Sequence, residues 1–114
     1  MISAAHQMEI VATRVYDNRA RKLFTVEGRS AAEGAIAAAP TAGPVVPGTG
    51  GARKARAARG GRGKSGGARI IYYVMTKRGV IYLLDVYAKS EKEDLSDGQK
   101  NEIRKRVEAL EAEE

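Results

Sequence analysis

The sequence contains no cysteine and no tryptophan, a single phenylalanine (Phe24) and a single histidine (His6). Without cysteine there is no disulfide framework, no thiolate metal site and no cysteine nucleophile, and a reducing compartment raises no difficulty. The first residues, Met1 to Met8, lack a basic stretch followed by an apolar one, and no apolar run approaches the roughly 20 residues that span a bilayer. A cytoplasmic protein, neither secreted nor inserted in a membrane, is the expectation. Met1 to Gln7 read as a flexible leader or an upstream start, and residues 8–114 as one domain.

Acids are also missing from a long stretch. No Asp or Glu occurs from Gly34 to Leu84, whereas Arg53, Lys54, Arg56, Arg59, Arg62, Lys64, Arg69, Lys77 and Arg78 all lie there, within a chain of net charge +6. Basic side chains gain affinity for a polyanion by displacing the counterions condensed around its phosphates. A nucleic acid is therefore the natural partner of this middle segment. The tail after Lys89 is mixed and acid-rich, so the two signs are segregated along the chain.

What is present allows one modest core. Hydrophobic residues make up 43% of the 114, but much of that is alanine, which buries little area. The large apolar side chains cluster at Ile70 to Met75 and Val80 to Val86. Glu9 to Tyr16 reads as a strand, with Asp17 capping a short helix through Phe24. Ser30 and Glu33 form a capping-box pattern ahead of a helix from Ala31 to Ala39 that Pro40 ends. From Pro40 to Gly67 the chain is loop-like, with eight of the 13 glycines between Gly48 and Gly67, and a short strand, Ala52 to Ala58, interrupts it. Arg59 to Gly67 reads as an ordered loop or as a disordered basic linker, and either suits a segment that orders on RNA.

Arg69 to Thr76 and Val80 to Ala88 predict a hairpin closed by Lys77, Arg78 and a left-handed Gly79. If Thr76 faces Val80, then Ile70, Tyr72 and Val74 share one face with Val86, Leu84 and Tyr82. Arg69, Ile71, Tyr73 and Met75 then share the other with Tyr87, Asp85, Leu83 and Ile81. This register gathers Arg69, Asp85 and Tyr87 near one end of the sheet, with Lys89 two residues on. Ser96 and Gln99 form another capping box, and Ile103, Val107 and Leu110 repeat at helical spacing, predicting a last helix from Asp97 to about Ala112, docked along one edge of the core. Tyr72, Tyr73 and Tyr82 read as core residues.

The stretch PGTGGARKARAARGGRGKSGGARIIYYVMTKRGVIYLLDVYAKSEKEDLS, Pro47 to Ser96, resembles the RelE/HigB family of toxin endoribonucleases, in particular its HigB-like branch. The most specific segments are PGTGG before a basic strand, GRGKSGGAR leading into IIYY, and YLLDVYAKSEKEDL closing the hairpin. ATRVYDNRARKL, nearer the start, is similar to the family's opening elements. The resemblance implies an α+β fold, a small curved antiparallel sheet with two N-terminal helices and one C-terminal helix, in agreement with the residue-level reading. It further implies messenger RNA on the ribosome as substrate and a cognate helix-turn-helix antitoxin as partner.

Cleaving RNA by attack of its own 2′-hydroxyl needs a proton acceptor, cations for the phosphorane and a proton donor for the 5′-oxygen. A two-histidine solution is closed, since His6 stands alone in the leader. Metal ligation would need several converging carboxylates or histidines, and no acid lies in the basic block, leaving a chemistry of Lys, Arg and Tyr without metal or cofactor. By the resemblance, Arg69 matches the family's catalytic arginine and is the clamp on the transition state. Lys54 and Arg56, two apart and so on one face of their strand, match paired basic residues at the scissile phosphate, and one of them is a candidate proton acceptor. Tyr87 and Lys89 are candidates for orienting substrate and giving the last proton, with Lys92 in reserve. Arg53, Arg59, Arg62, Lys64, Lys77 and Arg78 read as grips on RNA backbone. The chain departs from the family at Ala57 and Gly60, where many relatives carry an aromatic and a proline, so a base-stacking and a loop-stiffening contact are absent by this reading. Two other classes stay open: a non-catalytic RNA or ribosome binder, and a ParE-like gyrase poison of the same fold.

Overall fold

The computed structural model describes residues 8–61 and 66–113. In chain order the elements are β1 (Glu9–Ala12), α1 (Arg14–Leu23), α2 (Val26–Ala38), β2 (Arg53–Ala58), β3 (Gly67–Met75), β4 (Val80–Ala88) and α3 (Asp97–Ala112). They build one four-stranded sheet in the order β1-β4-β3-β2. The α+β architecture with two early helices and one late helix is present. The sheet is mixed, however, because β1 runs parallel to β4 while the other pairs are antiparallel. A parallel pair needs a long crossover, and here two helices and two strands supply it. The leader read at Met1 to Gln7 lies outside the described residues, as do Arg62 and Lys64. Among the described residues no helix is long and apolar enough to cross a membrane.

Local chemistry corrects two helix starts. α1 begins at Thr13, whose hydroxyl accepts from the Tyr16 N–H and donates to the Leu83 carbonyl at 2.8 Å, so the first strand is shorter than read and Asp17 lies within the first turn. α2 begins at Thr25, whose Oγ1 accepts from the Gly28 N–H at 2.9 Å. Ser30 and Glu33 therefore lie inside the helix. Glu33 instead accepts from the Tyr16 hydroxyl and the Arg29 Nε, both at 2.8 Å, which ties α2 to α1. The capping box at Ser96 and Gln99 does start α3.

β3 and β4 are buried on both faces, which is why they read as unbroken apolar runs. On one face Ile70, Tyr72, Ile81, Leu83 and Val86 pack with Tyr16, Ala20 and Phe24 and with Ile36 of α2. On the other, Ile71, Leu84 and Tyr87 pack with Leu95, Ile103 and Val107, so α3 lies on part of this face. Each such Ile, Leu or Val contributes about 1.5–3 kcal/mol by leaving water. A turn of 3-10 helix, Thr76–Arg78, and Gly79 at φ +69° join the strands. The pairing is Met75 with Val80 at the turn but Ile71 with Asp85 beyond it, because Leu84 is an extra residue in β4. This bulge leaves the expected register intact from Ala68 to Ile71. It moves Leu84 and Tyr82 to the α3 face and Leu83 and Ile81 to the other.

Candidate functional site

Strand alternation sends Lys54 and Arg56 to the same face of β2. Register then sets Arg56 opposite Arg69, and Arg69 opposite Tyr87, in one row across three strands. Neighbouring strands are about 4.8 Å apart, so the two guanidinium stems stand side by side. Lys89, just past the end of β4, is fastened by its N–H to the Gly67 carbonyl at 2.8 Å. Lys54, Arg56, Arg69 and Lys89, with Pro44 and Glu93, line an open cavity of about 480 Å³ at this end of the sheet.

The electrostatics are one-sided. Among the described residues neither Arg56, Arg69 nor Lys89 pairs with a carboxylate, and the hydrogen bond found for the Arg69 side chain goes to the adjacent Ala68 carbonyl at 3.1 Å. Lys54 Nζ lies 3.7 Å from the Asp94 carboxylate. The Leu95 N–H, 2.8 Å away, chiefly holds that carboxyl below the usual range, with Lys54 and Lys100 adding to it. Four cations around one open space repel one another, and an entering polyanion relieves the repulsion.

The other candidates lie elsewhere. Tyr87 belongs to the row but is 3% exposed, packed beneath α3, with its hydroxyl unpartnered. Burial raises its pKa first, Asp94 and Asp85 add to the rise, and Arg69 opposes it. Lys92 lies over the Tyr87 ring, 5.1 Å from its centre, and lines a different cavity of about 430 Å³ with Arg19, Lys22 and Gln99. Asp85, expected beside Arg69, is instead bound to Arg19 at 2.6 Å and to the Val86 N–H at 2.7 Å. Arg53 Nη1 donates to the Thr41 and Gly43 carbonyls at 3.1 and 2.7 Å, and Arg59 Nε donates to the Leu23 carbonyl at 3.1 Å. Arg78 is paired with Glu113, and Lys77 with Glu111 at 3.2 Å.

The two departures from the family pattern have local explanations. Ala57 opposes Ala68 and packs against the core under α1 and α2, so an aromatic at 57 would fill that core rather than face the cavity. Gly60 has φ +81°, and a Cβ there would sit 2.3 Å from Thr25 Oγ1. Proline, fixed near −65°, does not fit that backbone. Sequence reasoning missed Glu93 and Asp94, which belong to the acid-rich run after Lys89. Their place in SEKEDL, directly after the closing strand, was the available signal.

Fold and cavity together define a small basic α+β domain whose cations converge at the open end of a hairpin. The model of the RelE toxin of the RelE/RelB toxin-antitoxin system matches residues 8–114. The chain belongs to the RelE family and is a toxin of a toxin-antitoxin system. Among solved structures, a mutant of the E. coli toxin RelE with two arginines replaced by alanine, in the free state, is similar with a TM-score of 0.55. The match covers 76% of this chain and 88% of that one at 17% identity, a likeness of fold.

Proposed function

We propose that this toxin is an endoribonuclease that cuts messenger RNA on the ribosome, in the cytoplasm, until a cognate helix-turn-helix antitoxin neutralises it. The observation that carries the reading is the cavity itself: Lys54, Arg56, Arg69 and Lys89 converge on one space, and three of the four are without a carboxylate partner among the described residues. The Arg69 guanidinium spans two phosphoryl oxygens and holds the charge that grows on them as the 2′-oxygen attacks phosphorus. Arg56 and Lys54 steady the same phosphate from the neighbouring strand. Lys89, across the cavity, gives a proton to the departing 5′-oxygen. The products are a 2′,3′-cyclic phosphate and a 5′-hydroxyl.

Tyr87 acts here from below: its buried ring supports the strand position opposite Arg69 and carries Lys92 on its face. The test adds purified protein to ribosomes programmed with a defined message and maps the cuts. Wild type cleaves within the ribosomal decoding site, and Arg69→Ala lowers the rate about 10²–10³-fold, as loss of one charge-stabilising donor does. Equal persistence of the transcript with both proteins sinks the endonuclease reading. Salt-sensitive ribosome binding without any cut selects the non-catalytic binder instead, and arrest of replication before translation selects the gyrase poison.

A further inference from the structure

Four carboxylates lie on β4 or in the segment that closes it, and three of them are committed. Asp85 is bound to Arg19 and to the Val86 N–H. Glu91 accepts from the Ala88 N–H at 3.4 Å. Asp94 accepts from the Leu95 N–H and faces Lys54. Glu93 is different: it lines the cationic cavity itself, and among the described residues no hydrogen bond or ion pair engages its carboxylate.

We infer that Glu93 is the general base that takes the proton of the attacking 2′-hydroxyl, an inference that rests on the endonuclease reading of this cavity. The rest of the wall is ammonium, guanidinium and proline. Ammonium and guanidinium groups offer donors only and proline has no side-chain acceptor, whereas a carboxylate offers acceptor oxygens. In the step, Glu93 takes the 2′-hydroxyl proton as the bond from the 2′-oxygen to phosphorus forms. Arg69 holds the phosphorane charge, the bond from phosphorus to the 5′-oxygen breaks, and that oxygen takes a proton from Lys89. Glu93 ends with one proton more and Lys89 with one fewer, and exchange with water restores both.

The fold also explains how an exposed residue is kept at this place. Asp94, its neighbour, is fixed to Leu95 at the entry of α3 and to Lys54 of β2, which anchors the loop backbone beside the cavity. A carboxylate among phosphate-binding cations weakens binding of the substrate in its ground state. Removing a merely repulsive Glu93 would therefore tighten binding and speed cleavage, whereas removing a base slows it.

Single-turnover cleavage of a message on programmed ribosomes, measured across the acid range for wild type, Glu93→Gln, Asp94→Asn and Arg69→Ala, tests this. Glu93→Gln is expected to cut about 10²–10⁴-fold more slowly, to bind ribosomes at least as well as wild type, and to lack the fall in rate that wild type shows as its base protonates. Asp94→Asn is expected to keep that fall. If Glu93→Gln cuts as fast as wild type with the same pH profile while Arg69→Ala is inactive, the base assignment is wrong and the endonuclease reading survives. If wild type itself makes no cut, both fail together.

Discussion

The arginines of the two halves of this molecule are put to different uses. On the helical side, Arg29 pairs with Asp17 and Glu33 and lies over the Tyr16 ring, and Arg59 reaches the Leu23 carbonyl. Arg106, on α3, donates to the Leu84 carbonyl at 2.9 Å and to Thr13 Oγ1 at 3.0 Å. Burial lowers the pKa of that guanidinium, so its charge is held there against a desolvation cost. At the open end of the sheet, Arg56 and Arg69 share a row of the same charge. A cation whose donors meet acceptors on other elements holds the fold together, and one whose donors meet at most the adjacent carbonyl is available to a ligand. Count of charge along the sequence does not separate the two groups, whereas the acceptors around each head do.

Exchanging the two roles is the strongest way to break this division. Arg69→Ala is expected to abolish nearly all cleavage while changing unfolding stability by no more than about 0.5 kcal/mol, as surface substitutions do. A large loss of stability in that variant would move Arg69 into the structural group. Gly60 lies on the boundary, where β2 ends against the start of α2. A side chain there must adopt φ +81° and collides with Thr25, so Gly60→Ala is expected to cost about 2–3 kcal/mol in denaturant unfolding. Arg106→Ala follows with about 1–2 kcal/mol, because the Leu84 carbonyl loses a charged donor. The folded fraction of that variant is expected to cleave as wild type does, and a dead but stable Arg106→Ala would erase the contrast.

How much of this was legible beforehand follows the range of each interaction. Gly79, the α3 capping box and the alternation that aligns Lys54 with Arg56 are local, and they were readable. So was the register from Ala68 to Ile71, where Arg69 meets Tyr87. The Leu84 bulge was not, since an extra residue in an apolar run leaves the run apolar. Nor was the pairing of Asp85 with Arg19, which joins residues 66 apart in the chain. The start of α2 was misread because Ser30 and Glu33 mimic a cap whose real partner is Tyr16, on another helix. Lys54, Arg56, Arg69 and Lys89 came from spacing and resemblance together. Glu93 needed the fold, because only the closing of the loop brings an acid from the tail against cations of the middle segment.

The contrast extends weakly to pH. Tyr73 on the α3 side donates to Glu111, which also meets Lys77, and burial followed by the Glu111 contact pushes its pKa from 10.0 up to about 12. The folded state therefore keeps this proton where the unfolded chain has lost it, so the stabilisation is complete below pH 10 and disappears as pH rises toward 12. After screening by solvent the effect is at most about 1 kcal/mol. Denaturant unfolding of wild type and Tyr73→Phe through that window measures it. The variant, starting less stable, is expected to lose less with each step in pH, because its ring has no proton to release. Parallel curves would mean that the Tyr73 hydroxyl adds nothing to the hold of α3 on the hairpin, and that the ring only fills space.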